Sequence, residues 1–277
     1  MSKAMARWQI ATAAILLCWG AVAALASQQS ADVKPLTHTH AHNDYEHVHP
    51  LFDALDQGFT SVEADIFLVG DQLLVGHSSS SLKPERTLEK LYLEPLRERA
   101  KANGGRIYRD GPPFYLLIDV KTAAQPTYKR LHEVLSNYSD LMTTIRDGKV
   151  EAKAVTAVVS GNRDKTAMAG QKVRYAGLDG RAADLDGTDP ANLMPWISDR
   201  WGALFTWKGE GAMPAADRAR LQEMVQKAHA QGKLLRFWAT PENEAFWGEL
   251  HSAGVDLINT DKLAELAAFL RKQEKSK

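Results

Sequence analysis

From Leu36 onward, short runs rich in Val, Ile, Leu and Phe alternate with longer stretches whose apolar residues recur at helical spacing. The short runs fall at residues 36–40, 60–67, 114–120, 154–159, 173–177, 203–206, 233–238 and 256–259. Helical periodicity is clearest at residues 50–57, 88–102, 128–137, 215–231, 242–253 and 262–272. In the stretch 215–231, Leu221, Val225, Ala228 and His229 form one face, with Arg218, Gln222, Lys227 and Gln231 beside them. Gly232 follows where a helix end wants a left-handed residue. Strand alternating with helix predicts parallel strands joined by crossover helices. Eight strand runs predict an α/β fold closed as a (β/α)8 TIM barrel, one domain over residues 36–272, and about 250 residues is the usual size of that fold. An open doubly wound sheet is the rival, but the chain has no Gly-x-Gly-x-x-Gly fingerprint and no phosphate-loop signature. Residues 104–113 and 181–195, rich in Gly, Pro and Asp, read as loops.

The N-terminal pattern is different. Lys3 and Arg7 precede an apolar run from Ile10 to Leu25, and Ala24-Leu25-Ala26 places small residues where signal peptidase cuts. Residues 1–26 are read as a secretory signal peptide, 27–35 as a linker and 273–277 as a tail. An uncleaved membrane anchor is the competing reading, although the run is shorter than the ~18 residues of a spanning helix. Cleavage leaves no membrane span and an exported protein, periplasmic or extracellular. It also removes Cys18, the chain's single cysteine, and with it disulfides, thiolate ligands and a cysteine nucleophile. The 277 residues carry 34 Lys and Arg against 34 Asp and Glu. Such a balance lacks the broad basic surface of a nucleic-acid binder, so a charged ligand must be met by a local imbalance.

Candidate chemistry concentrates between His40 and His77: His40-Ala41-His42-Asn43-Asp44, then Glu63-Ala64-Asp65, then Gly76-His77. Working residues of a barrel sit at the C-terminal strand ends, and His40, Glu63, Asp65 and Asp119 fall at or near the first three. Three acidic groups on adjacent strands repel one another unless a cation neutralises them. Oxygen ligands suit a hard ion, Mg²⁺ first and Ca²⁺ second. Lys121, two residues beyond Asp119, can reach an anionic substrate group. Residues 72–75 form a hairpin with the second strand through Gly70-Asp71 and return His77 to the rim near His40. Two imidazoles can then act as acid and base. His42, His47 and His49 leave a second possibility, a binuclear amidohydrolase-type metallohydrolase with His-x-His on one metal. That reading wants further histidines at later strand ends, whereas His132, His229 and His251 fall in helices. Trp238 closes the seventh strand as a pocket wall, and Asn259 and Asp261 read as caps of the last helix.

Taken in order, His40-x-x-Asn43, Val62-Glu63-Ala64-Asp65, Gly76-His77, Ile118-Asp119-Val120-Lys121-Thr122, Phe237-Trp238 and the run from Gly254 to Asp261 resemble the phosphatidylinositol phospholipase C-like phosphodiesterase superfamily. That group includes glycerophosphodiester phosphodiesterases and sphingomyelinase-type phospholipases D. The run from His40 to Tyr45, with Pro50-Leu51 and Val62–Asp65, is most similar to the branch named after altered inheritance of mitochondria protein 6. The resemblance implies a phosphoric diester hydrolase with one divalent cation on Glu63, Asp65 and Asp119. It also implies His40 and His77 as the acid–base pair, Lys121 on the phosphate, and a small-molecule or lipid phosphodiester as substrate. The chain departs from the glycerophosphodiesterase pattern: Arg-Gly after the first histidine and the Glu-Asn-Thr that follows are both absent. Asn43, His42 and Glu46 are the candidates to take over the missing contacts. The alternative in another class is a catalytically silent barrel that binds phosphorylated ligands.

Overall fold

The computed structural model describes residues 33–275; the leader read at residues 1–26 lies outside them. Eight parallel strands, β1 (Thr39–Ala41), β2 (Ser61–Val69), β3 (Phe114–Val120), β4 (Val155–Gly161), β5 (Ala176–Gly180), β6 (Trp196–Arg200), β7 (Leu234–Trp238) and β8 (Leu257–Thr260), lie side by side in chain order. The sheet closes because β1 pairs with β8, Thr39 opposite Ile258, and with β2, Ala41 opposite Val62. The barrel read from the alternation is therefore present. Around it pack α1 (Phe52–Asp56), α2 (Glu94–Ala102), α3 (Ala124–Ser136), α4 (Lys165–Gly170), α5 (Trp201–Leu204), α6 (Ala215–Ala230), α7 (Glu244–Ala253) and α8 (Leu263–Lys275). A hairpin strand, Gln72–Val75, runs antiparallel to β2, and a small sheet of Thr144–Arg146, Lys149–Glu151 and Val173–Arg174 lies outside the barrel. Among the described residues no helix is long and apolar enough to cross a membrane.

Side chains alternate across each strand, and that alternation builds two cores. Leu116, Ile118 and Val120 of β3 and Val62, Ala64 and Ile66 of β2 belong to the large core that includes the helices' buried faces. Leu117, Val158, Trp196 and Leu257 form a separate apolar cluster that floors the lumen. The polar residues of the same strands stand above that floor.

Three strands differ from the sequence reading, each for a local reason. β1 starts later than residue 36 because His38 holds a left-handed backbone, φ +64°, between Leu36 and Thr39. The fifth barrel strand is Ala176–Gly180, whereas Val173 and Arg174 pair with the outer sheet. The sixth is Trp196–Arg200, and residues 201–204 are helical. Its end, Ser198-Asp199-Arg200, is polar and carries no apolar strand pattern because it faces the barrel mouth, not a core. At the C-terminus α8 runs past the predicted end at Lys272.

The loop after β1 carries strain that a buried carboxylate holds. Leu51 has φ +69°, and its N–H donates to Asp44 Oδ2 at 2.6 Å, which also accepts Tyr92 Oη at 2.8 Å. Burial outweighs these bonds and pushes the Asp44 pKa from 3.8 up to about 7. The folded chain therefore keeps a proton that the unfolded chain has lost. This contribution, about 4 kcal/mol for a shift of this size, is complete below about pH 4 and lost as pH rises through about 7. The Tm of the wild type is expected to fall more between pH 5 and pH 8 than that of Asp44→Asn, by roughly 5–10 °C. Parallel curves in differential scanning fluorimetry would contradict it.

Candidate active site

The site is built upward from the lumen floor. His40 meets Trp196 edge-on with ring centroids 5.8 Å apart. Its Nδ1 is 2.7 Å from Ser61 Oγ and its Nε2 3.1 Å from Glu63 Oε2. The side chain is 0% exposed; burial first and Arg236 second lower its pKa to about 3. A neutral imidazole with both nitrogens engaged is a strut under the site. The structure thus places His40 below the pocket, while His42, two residues on and one layer higher, lines it.

Arg236 on β7 completes this lower layer. Its Nη2 donates to Glu63 Oε2 at 2.7 Å and to Asn259 Oδ1 at 2.6 Å, and its Nε donates to Asn259 Oδ1 at 3.0 Å. Burial alone would raise the Glu63 pKa, but the Arg236 charge and the His40 hydrogen bond hold it well below the usual carboxylate range. Asn259 is therefore a partner of Arg236 and not a helix cap. Asp261 likewise pairs with His42.

Above Glu63, Asp65 and Asp119 face each other across the β2–β3 register. One oxygen of each of the three carboxylates lies within 4.8 Å of the others. Lys121 Nζ sits 2.9 Å from Asp65 Oδ2 and 2.7 Å from Asp119 Oδ2. The Oδ1 atoms of both aspartates are buried without a partner, a state that costs free energy. Burial and then Glu63's charge push the Asp65 pKa up to about 6. An all-oxygen donor set with two unsatisfied buried atoms fits a hard divalent cation. Gly161 at the end of β4 makes room for the Asp119 carboxylate: φ is +67°, and a Cβ there would stand 1.9 Å from Asp119 Oδ1 and 2.5 Å from the Val120 carbonyl. Gly161→Ala is expected to displace Asp119 and lower activity about 10²-fold, with weaker cation binding by calorimetry. Unchanged cation affinity would contradict this.

Two histidines border the pocket, a hollow of about 310 Å³. His42 Nδ1 donates to Asp261 Oδ1 at 2.8 Å. Burial would lower the His42 pKa, but this bond and the Glu63 charge outweigh it and raise it. His77, 61% exposed, returns on the hairpin as the sequence predicts. Its Nδ1 is 3.1 Å from Tyr45 Oη, which lies 2.7 Å from Asp65 Oδ2 and 2.9 Å from Asn43 Oδ1. Tyr45 thus ties the second histidine to the carboxylate cluster, and Asn43 sits on the rim with a left-handed backbone, φ +46°.

The far wall was not legible as a site. Buried Asp179 accepts Ser160 Oγ, Ser198 Oγ and Arg181 Nη1, each at 2.7 Å. This fixes the Arg181 guanidinium on the pocket wall. Together with Arg236, Arg181 provides guanidinium groups that the sequence reading missed from the expected Arg-Gly position. Trp238 lines the same pocket, as the sequence predicts. His47 and His49 do not join it: His49 pairs with Asp53, and His47 borders a separate surface cleft. Among the described residues, the one cluster of potential metal ligands holds no histidine, which leaves the binuclear metallohydrolase reading without its ligands.

Comparison with known proteins agrees with this architecture. The AIM6-like phosphodiesterase domain matches residues 27–177, and the glycerophosphoryl diester phosphodiesterase family matches residues 235–264. Altered inheritance of mitochondria protein 6 of Eremothecium gossypii is 31% identical over 274 residues, 86% of this chain and 70% of that protein. A homologue from Arthroderma benhamiae is 28% identical, covering 80% of each chain. Among solved structures, a calcium-dependent phosphoinositol-specific phospholipase C from a Pseudomonas species superposes with a TM-score of 0.54 at 13% identity, over 85% of this chain and 93% of that one. A glycerophosphodiester phosphodiesterase from Parabacteroides distasonis superposes with a TM-score of 0.52 at 12% identity, over 87% and 100%. These two share the barrel. With a domain match over more than half its length and a relative at 31% identity, the chain belongs to the AIM6-like phosphodiesterase family.

Proposed function

We propose that this chain is an exported hydrolase of phosphodiesters, of the glycerophosphodiester or phospholipid-headgroup type. It uses one divalent cation, Mg²⁺ ahead of Ca²⁺, and two histidines. The observation that carries this reading is the convergence in one pocket of an all-oxygen carboxylate cluster with two orphaned oxygens and two oriented imidazoles. Glu63, Asp65 and Asp119 would hold the cation. When bound, it stabilises negative charge on the non-bridging phosphate oxygens.

The chain's own groups do the rest. Lys121 and Arg181 donate to the phosphate and orient it. Asp261 holds the Nδ1 proton of His42, so Nε2 is the basic nitrogen and removes a proton from the attacking hydroxyl, of water or of the substrate. A bond forms from that oxygen to phosphorus, and the bond to the leaving alkoxide breaks. His77, with Nδ1 turned to Tyr45, gives a proton from Nε2 to the leaving oxygen. One proton is taken and one given, so the cycle balances once the two histidines re-equilibrate through water. A substrate hydroxyl as nucleophile yields a cyclic phosphate; water yields the monoester directly.

A panel of glycerophosphodiesters and lysolipids, followed by phosphorus NMR with Mg²⁺ present, tests the reading. Release of an alcohol with a phosphomonoester or cyclic phosphate is expected. No turnover across the panel, with binding retained, favours the silent phospho-ligand-binding barrel instead. The leader supports export, and N-terminal sequencing of protein made in a secreting host is expected to begin after Ala26. Mature protein that retains residues 1–26 contradicts that step.

A further inference from the structure

His77 returns to the pocket rim as an exposed side chain, and little holds its ring. Glu46 Oε1 and Asp65 Oδ2 approach its Nδ1 no closer than 4.0 Å, beyond hydrogen-bond reach. Among the described residues, the ring's hydrogen bond is the one to Tyr45 Oη at 3.1 Å. Tyr45 itself is fixed. It is 3% exposed within the main core, and its carbonyl accepts Arg86 Nη2 at 2.5 Å. The exposed histidine therefore leans on a buried post.

A phenol has one proton to give and lone pairs to receive with. Three groups surround Tyr45 Oη: Asp65 Oδ2 at 2.7 Å, Asn43 Oδ1 at 2.9 Å and His77 Nδ1. Burial first and the Asp65 charge second push the phenol's pKa up, so the proton stays on the hydroxyl. An ionised carboxylate can only accept, and it makes the stronger bond; as the nearest partner, Asp65 takes that proton. Oη then has only lone pairs left. His77 meets them with Nδ1–H, and the Asn43 amide can turn its nitrogen to them. We propose that Tyr45 is the positioning residue of His77: by giving its proton to Asp65 it holds the imidazole as the Nδ1–H tautomer, with Nε2 left for the leaving oxygen. When the imidazolium gives up its Nε2 proton, this tautomer is what remains, so the bond to Tyr45 is kept on both sides of the transfer. This rests on His77 being the acid of a phosphodiester hydrolase.

Tyr45→Phe keeps the ring in the core and removes the hydroxyl alone. With Mg²⁺ saturating, kcat of the full chain is compared on bis(p-nitrophenyl) phosphate, whose leaving phenolate needs little protonation, and on a glycerophosphodiester, whose leaving alkoxide needs a proton. Tyr45→Phe is expected to lower kcat on the alkyl ester about 10–10²-fold more than on the nitrophenyl ester. Equal losses on both, as a disturbed Asp65 would give, or no loss on either, overturn the proposal. A second readout needs no turnover: nitrogen-15 NMR of the histidine-labelled full chain, well above the ordinary imidazole pKa of about 6.5, with the His77 signals identified by their absence in His77→Gln. A protonated Nδ1 and a bare Nε2 in the wild type, and a mixture of the two tautomers in Tyr45→Phe, are expected. A protonated Nε2 in the wild type, or one tautomer common to both proteins, overturns the proposal. A tautomer that follows Tyr45 while no diester is turned over supports the positioning and counts against the phosphodiesterase reading alone.

Discussion

His42→Ala is expected to lower kcat/KM on a phosphodiester by about 10²–10⁴-fold, the usual range for a general acid or base, and to leave Tm within about 2 °C. The side chain is 27% exposed at the pocket rim and makes one side-chain bond, to Asp261, so little packing is lost with it. His40→Ala is expected to behave differently. It removes a fully buried imidazole, leaves the Ser61 hydroxyl without that partner and leaves Glu63 Oε2 to Arg236 alone, at about 1–3 kcal/mol for an unsatisfied buried group. Its main effect is a lower Tm, with activity falling because Glu63 shifts. Steady-state kinetics beside thermal melts decide the matter. Activity retained in His42→Ala would falsify the assignment of proton transfer to that residue.

The second large effect is on Glu63. Glu63→Ala leaves the Arg236 guanidinium buried and unpaired, and breaking such a pair costs about 3–5 kcal/mol. For a domain of this size that corresponds to a Tm roughly 10 °C lower, together with loss of cation-dependent activity. The double variant Glu63→Met with Arg236→Met removes both charges and replaces them with apolar volume. It is expected to recover most of the Tm without recovering activity. Recovery of both would mean that the pair is structural only, and an unchanged Tm in Glu63→Ala would mean that the ion pair is not formed.

Much of the fold was legible because the chain alternates strand and helix patterns with few exceptions. The acidic half of the site was legible for a related reason: Glu63, Asp65 and Asp119 interrupt strands that are otherwise apolar, and a carboxylate there needs a purpose. The first histidine was harder. His40 and His42 point to the same side of one strand, and only the closure of β1 on β8 shows that one lies under Glu63 and the other at the mouth. The cationic half was not legible. Arg236 meets Glu63 across 173 positions of sequence, and a lone arginine in a strand reads as surface. Asp179, Arg181 and Ser198 were obscured because the ends of β5 and β6 are polar, and polar strand ends look like loops. Function places polar residues where hydrophobic pattern would otherwise mark the strand.

Bis(p-nitrophenyl) phosphate hydrolysis by the full chain, measured with Mg²⁺ and after chelation, tests the central claim most directly when Asp119→Asn and His42→Ala are run alongside. Turnover that needs the cation, stops on chelation, returns on adding Mg²⁺ back, and is lost in both variants is the predicted result. Turnover that survives chelation and both substitutions would contradict a cation-assisted, two-histidine phosphodiesterase in this barrel.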